Sequence, residues 1–297
     1  MKTNVETNVE ANAVSRIKGL SDLSNQYSLV LCDVWGVLHN GVKAYEGAIE
    51  ALSAFRKNGG TVVMVTNAPR PRGPVYAQLK RLGVPEGVYD EVVTSGDATQ
   101  ALMRQAPKKM HFIGVYEKDK NLFEGLDIEL VGEDEAQAII CTGPFDEDND
   151  IAADYIPVLK KFRKRNLPFI CANPDKVVEI GDRFIMCGGA IADEYEKLGG
   201  ETLIAGKPHA PIYEQAIKEA SSLTGKTFEK SDILAIGDGM PTDIKGAQDF
   251  GLDVLYISAG IHAGEYGDAD EPNDGLLQKF LVKNNAKPVA YIPRLQW

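Results

Sequence analysis

Leu29-Val30-Leu31-Cys32-Asp33-Val34-Trp35-Gly36-Val37-Leu38 begins with four consecutive apolar residues and then turns abruptly to an acid, with a glycine three positions on. An apolar run without alternation suits a strand buried on both faces of a parallel sheet. Asp33 would then stand at the carboxyl end of that strand. Working outward, further apolar runs of strand length fall at 61–65, 91–94, 111–115, 138–142, 169–172, 183–187, 202–205, 232–236, 253–258 and 289–292. Helical stripes alternate with them: Ala48, Ile49, Leu52 and Phe55, stopped by Gly59-Gly60, and Ile212, Ala216, Ile217 and Ala220 after Pro211. Strand and helix in alternation predict an α/β fold, a mostly parallel sheet with helices on both faces.

Four polar groups directly follow such runs. Asp33 follows LVLC, Thr66 follows TVVMV, Lys207 follows TLIAG and Asp238 follows DILAIG. In open α/β sheets, ligands bind just beyond the carboxyl ends of the strands. Singly, each has a plain structural reading: a turn acid, a turn hydroxyl, a surface lysine. Jointly they describe a site. The segment GDGMPTD adds a second acid, Asp243, five positions beyond Asp238, with Gly237 and Gly239 free to turn tightly at the strand end. Two carboxylates facing Asp33 make an oxygen-rich site suited to Mg²⁺, although helix capping alone would also account for Asp243. Without a cation, close carboxylates repel by ~4 kcal/mol per pair at an effective dielectric near 20.

The chain has 297 residues, 44% hydrophobic and 25% charged, enough for a large core and outside the range of disordered or disulfide-scaffold chains. Its net charge of −11 argues against nucleic acid or an anionic membrane as partner, since both call for a basic face. Cys32, Cys141, Cys171 and Cys187 each end an apolar run and form no C-x-x-C pair, which predicts buried thiols and a reduced, cytoplasmic setting. No apolar stretch approaches the ~20 residues of a transmembrane helix. Residues 1–26, with the repeat TNVETNVE, read as a frayed or loosely docked leader.

DVWGVL, VTNAPR, GKPH and GDGMPTD, in that order, resemble the four motifs of the haloacid dehalogenase superfamily. Their key residues are separated by 33, 141 and 31 positions, so an inserted segment stands between the second and third motifs. VVTSGDAT, ICANPD and LIAGKPHAPIYEQAI are similar to class IIA of that superfamily, which includes nitrophenyl, pyridoxal phosphate, nucleotide and sugar phosphatases. The resemblance implies a Rossmann-like doubly wound core, 27–106 and 202–297, interrupted by an α/β cap at 107–201. It implies Asp33 as a nucleophile that becomes phosphorylated and Lys207 as its catalytic partner. Mg²⁺ would be held by Asp33, the Trp35 carbonyl, Asp238 and Asp243. Thr66 and Asn67, with backbone N–H groups near Gly36, would cradle the phosphate of a small phosphorylated metabolite. Asn173-Pro174-Asp175, on the cap, reads either as a substrate contact through Asn173 or as a plain N-P-D turn. The class admits a homodimer, since many such caps pair.

One residue departs from the pattern. Most phosphatases of this superfamily carry a second Asp two positions after the nucleophile, which protonates the leaving oxygen and later activates water. Here that position is Trp35, whose indole N–H is a donor only. A positioned acid–base group is worth ~10²–10⁴ in rate. A phosphatase with another proton source is therefore one expectation. A phosphometabolite-binding or regulatory protein with little turnover is the alternative. Metal-free dehalogenase chemistry is disfavoured by the Asp238/Asp243 pair. His39, six positions past Asp33, is the nearest proton carrier in sequence, though HNG also reads as an ordinary turn. Pro69 removes an N–H donor from the loop after Thr66.

Overall fold

The computed structural model describes residues 13–180 and 183–297. The chain starts with β1 (Leu29–Cys32), β2 (Thr61–Thr66) and β3 (Glu91–Thr94). It continues through β4 (Lys109–Ile113), β5 (Glu129–Leu130), β6 (Ala138–Cys141), β7 (Phe169–Cys171), the hairpin β8 (Val177–Ile180) and β9 (Arg183–Met186), and β10 (Thr202–Ile204). It ends with β11 (Ile233–Gly237), β12 (Asp253–Ile257) and β13 (Ala290–Ile292). The helices are α1 (Glu46–Lys57), α2 (Arg72–Arg81), α3 (Ser95–Gln105), α4 (Tyr116–Asp119), α5 (Ile156–Lys164), α6 (Gly188–Lys197), α7 (Ala210–Thr224), α8 (Lys245–Phe250) and α9 (Asp274–Lys283).

Six strands form an all-parallel sheet in the order β13-β12-β11-β1-β2-β3. The chain winds outward from β1 through β2 to β3, then returns to the other side of β1 with β11 and winds outward again. The reversal lies between β1 and β11, where such sheets open a crevice at their carboxyl edge. Side chains alternate across the strands. Val30, Cys32, Val62 and Met64 bury against Ala51, Leu52 and Phe55 of α1 and Leu79 of α2. On the opposite face Leu29, Leu31, Val63 and Val65 bury against Ile212, Ala216 and Ala220 of α7. This is the α/β, doubly wound arrangement that the continuous apolar runs require.

A second parallel sheet has the order β10-β7-β6-β4-β5, with β8 and β9 as a separate antiparallel hairpin. Leu159 and Phe162 of α5 and Ile191 and Tyr195 of α6 pack on one face. Met103 of α3 packs on the other, which ties this sheet to the first. The expected resumption of the first sheet at residue 202 is corrected: Thr202–Ile204 pairs in parallel with β7, in the second sheet. A length of apolar chain carries no label for the sheet it joins, and the crossing comes only at Gly206-Lys207. β5 and β8 escaped sequence reading. β5 is two exposed edge residues, too short for any periodicity.

Of the leader, residues 1–12 lie outside the described residues. From Val14 the chain is docked, not loose: Tyr291 exchanges backbone bonds with Ser15 and Ile17, and Leu20 is fully buried. All four cysteines are buried free thiols. No helix among the described residues is long and apolar enough to cross a membrane.

Candidate active site

The β1–β11 crevice collects the acids. Asp33 continues the strand ladder, its N–H donating to Ile236 O at 2.8 Å, and the chain then folds back through a tight loop in which Leu38 and His39 donate to Val34 O. Gly36 has φ +78°, and a Cβ there would lie 2.3 Å from Asp238 Oδ2. From the other side a Cβ on Gly260 would lie 2.0 Å from the same oxygen. Two glycines thus make room for one carboxylate, and Ile261 N–H fixes it by donating to Oδ2 at 2.8 Å. One oxygen from each of Asp33, Asp238 and Asp243 lies within 4.8 Å of the others.

Lys207 is the counter-charge. Its Nζ is 2.7 Å from Asp33 Oδ1, 2.7 Å from Asp243 Oδ1 and 3.0 Å from Val65 O, and the residue is 4% exposed. The second oxygen of Asp243 accepts from Gly239 N–H at 3.0 Å, closing the loop that carries Asp238. Burial and the neighbouring Asp243 charge push the Asp33 carboxyl well up, against the pull of Lys207. Burial, then Asp243, pushes Asp238 up to about 7. Burial would lower Lys207, but Asp243, Asp33 and Asp175 together hold it well above the ordinary lysine value. A cavity of about 10 Å³, room for one water, lies behind this cluster and is lined in part by Tyr213. The Tyr213 hydroxyl is buried without a partner among the described residues.

Three carboxylates against one ammonium leave an excess of two negative charges, which a divalent cation matches. The donor set fits one. Among the described residues Asp238 Oδ1 has no hydrogen-bond partner, and the Trp35 carbonyl accepts no hydrogen bond. Asp243 is different, with one oxygen on Lys207 and the other on Gly239.

Of the expected phosphate-binding residues, Thr66 and Asn67 are buried at the carboxyl end of β2. Thr66 Oγ1 accepts from Ala68 N–H at 3.2 Å. Asn67 clamps Lys207: Nδ2 donates to Lys207 O at 3.0 Å and Oδ1 accepts from Lys207 N–H at 2.8 Å. The loop holding Pro69 is seated on Gly96, where a Cβ would lie 2.5 Å from Pro69 O, and Gly96 N–H donates to Ala68 O. Gly36 N–H donates to His39 O at 2.9 Å within the loop, and the glycine also makes room for Asp238. Asn173 lies on the turn that follows β7. Its Oδ1 accepts from Asp175 N–H at 3.2 Å, making it the turn residue that presents Asp175. Asp175 is what reaches across, its Oδ1 accepting from Asn67 Nδ2 at 2.9 Å. The sequence marks the whole N-P-D turn, Asn173 to Asp175, without singling out this acid.

His39 is fully buried, and its Nδ1 accepts from Gly41 N–H at 3.0 Å. Burial pushes its pKa down to about 4, so the ring is neutral at pH 7. It meets Trp35 edge to face, 4.7 Å between centroids. His209 is exposed, and His262 Nε2 accepts from Met240 N–H at 3.1 Å.

Two family models match the chain: a haloacid dehalogenase-like hydrolase model over residues 30–129 and an HAD-hydrolase-like model over 204–281. A solved hydrolase of the haloacid dehalogenase-like family from Brucella suis 1330 is 48% identical, with 94% of this chain and 99% of that chain covered at a TM-score of 0.85. The ribonucleotide monophosphatase NagD of Escherichia coli K12 is 28% identical over 78% of this chain and 88% of its own. The acid sugar phosphatase of Staphylococcus epidermidis is 25% identical over 80% and 89%.

Proposed function

Since the chain belongs to class IIA of the haloacid dehalogenase-like hydrolases, we propose that it is a Mg²⁺-dependent phosphatase. It would hydrolyse a small phosphate ester (sugar, nucleotide, vitamin or aryl) through an aspartyl phosphate on Asp33. The observation that carries this reading is the shared lysine: Lys207 holds Asp33 and Asp243 at 2.7 Å each, in the crevice that also contains Asp238.

Held by Asp33, Asp238 and the Trp35 carbonyl, with Asp243 in support, Mg²⁺ would neutralise the phosphate dianion and the charge developing on its equatorial oxygens. The protein's own groups do the rest. Asp33 attacks phosphorus, splitting one displacement into two. Lys207 and the Thr66 hydroxyl donate to the phosphoryl oxygens, stabilising charge in a site shielded from water. Asn67 keeps the Lys207 backbone in place, and Asp243 orients its ammonium. The second sheet, resting on Asn67 through Asp175 and on Arg70 through Asp119 at 3.7 Å, would cover the crevice and select the substrate. That part of the chain is the proposed cap, and the six-stranded part the proposed core.

Trp35 and the neutral His39 favour a second reading, a phosphometabolite-binding protein with little turnover. A phosphate-release screen with Mg²⁺ over aryl, sugar, nucleotide and vitamin phosphates separates the two. The phosphatase reading expects release from at least one ester, abolished by Asp33→Asn. Tight Mg²⁺-dependent ligand binding with no release from any ester would falsify it.

A further inference from the structure

An alkoxide leaving group needs a proton, and the water that cleaves an aspartyl phosphate needs a base. Trp35 supplies neither, and His39 is buried with its acceptor nitrogen already used by Gly41. A carboxylate stands on the opposite side of the crevice. Asp175 is carried by the turn after β7, which is pinned at several points. Asn173 Oδ1 accepts its N–H at 3.2 Å, and its own carbonyl accepts from Gly189 N–H at 3.1 Å. The Pro174 ring rests on Gly206, where a Cβ would lie 2.9 Å from Pro174 Cγ. One carboxyl oxygen accepts from Asn67 Nδ2 at 2.9 Å. The other has no partner among the described residues. Asn67 also holds both backbone groups of Lys207, so a single side chain spaces Asp175 relative to the lysine that meets the nucleophile.

We propose that Asp175 is the general acid–base of this site, delivered to the leaving oxygen from the second sheet in place of an acid on the β1 loop. The proposal rests on the phosphatase reading. In the first half, an Asp33 oxygen bonds to phosphorus and the bond from phosphorus to the leaving oxygen breaks. That oxygen's electron pair takes the Asp175 proton. In the second half, ionised Asp175 removes a proton from water as the water oxygen bonds to phosphorus. The bond from phosphorus to Asp33 then breaks, which returns the Asp33 carboxylate, inorganic phosphate and protonated Asp175.

The surroundings suit the task. Burial raises the Asp175 carboxyl to about 6, Lys207 and the Asn67 hydrogen bond pull it down, and Asp243 pushes it up. Asp238 also faces it across the crevice. On its own side stand Cys171 and Cys187, both kept protonated by burial. A carboxyl that titrates near 6 is half protonated at pH 6 and about one-tenth protonated at pH 7, so both the acid and the base form are within reach.

The test uses the full chain with Mg²⁺, comparing wild type, Asp175→Asn and Asp175→Glu on p-nitrophenyl phosphate and glycerol phosphate. Asp175→Asn can still accept from Asn67, and its melting temperature and Mg²⁺ affinity are measured alongside. The expectation is a loss of about 10²–10⁴ in kcat on the alkyl ester, with KM little changed. On the aryl ester, about one equivalent of nitrophenolate is released per enzyme, followed by a slow steady state as phosphoenzyme accumulates. The wild-type pH limb near 6 disappears in Asp175→Asn and returns, shifted, in Asp175→Glu. Three results overturn the proposal: Asp175→Asn within about threefold of wild type on both esters, a loss confined to KM, or an unchanged pH profile. A wild type that releases phosphate from no ester of the wider screen is a different failure: it overturns the phosphatase reading and takes this proposal with it.

Discussion

Replacing Lys207 by Met removes one positive charge from among three carboxylates while keeping most of the apolar stem. Each 2.7 Å contact of Nζ with Asp33 and Asp243 is worth about 6 kcal/mol of gross attraction at an effective dielectric of 20. Withdrawing an ammonium from water offsets several kcal/mol of that. Carboxylates up to 4.8 Å apart repel by at least about 3 kcal/mol per pair at the same dielectric, and the variant leaves them unopposed. Breaking buried pairs of this kind costs about 3–5 kcal/mol, which at this chain length corresponds to a fall of about 5–8 °C in Tm. The sign with pH follows from the shifts. Lys207 is raised above 10.5, so its contribution is fully present at pH 8. Asp238 is raised from 3.8 to about 7, so the fold takes up its proton more readily than the unfolded chain does. Metal-free protein therefore gains stability from this group as pH falls from 7 towards 4, and the variant, richer in unopposed charge, gains more. The assay is thermal unfolding of wild type and Lys207→Met in EDTA at pH 8 and 5.5, and in saturating Mg²⁺ at pH 8. The gap should be wide in EDTA at pH 8 and narrow in both other conditions. A variant as stable as wild type in EDTA at pH 8, or a gap indifferent to acid and metal, refutes the electrostatic account.

Gly260→Ala should lower Mg²⁺ affinity at least about tenfold by titration calorimetry, because its Cβ would displace Asp238 Oδ2 from 2.0 Å; unchanged affinity would show that Asp238 is not a ligand. Since Asp238 must ionise to bind, Mg²⁺ affinity should fall by about tenfold per pH unit below 7, and a flat profile from pH 8 to 5.5 contradicts this. Tyr213→Phe removes a buried hydroxyl without a partner among the described residues. Its melting temperature should hold or rise, by about 1 kcal/mol of stability, and a drop of that size would reveal a bond held through water in the adjacent cavity.

The crevice was legible from four residues because each directly follows an apolar run, and a run buried on both faces leaves its next polar residue at the sheet's carboxyl edge. Asp33, Thr66 and Asp238 gather there for that reason. Lys207 gathers too, but by another route, since its strand belongs to the other sheet. Pairing partners of a three-residue strand are a tertiary fact that local pattern cannot carry. Gly36 has a role that local sequence does not show, since its N–H closes a turn onto His39. The turn's hydrogen bonds and the Asp238 carboxylate against it lie two hundred residues apart in sequence. Asn173 and Asp175 occupy the same turn, and composition alone does not tell which of the two points outward.

The membership of β10 has a practical consequence for anyone recombining this chain with a relative. A chimaera cut at residue 201 would strip the donor's inserted sheet of its β10 and leave an edge of β7 bare. A cut between Ala205 and Gly206 carries the strand with its sheet and leaves Lys207, held by Asn67, with the recipient. The seam should also keep Asn67 and Asp175 as a matched pair, because that bond spans the join.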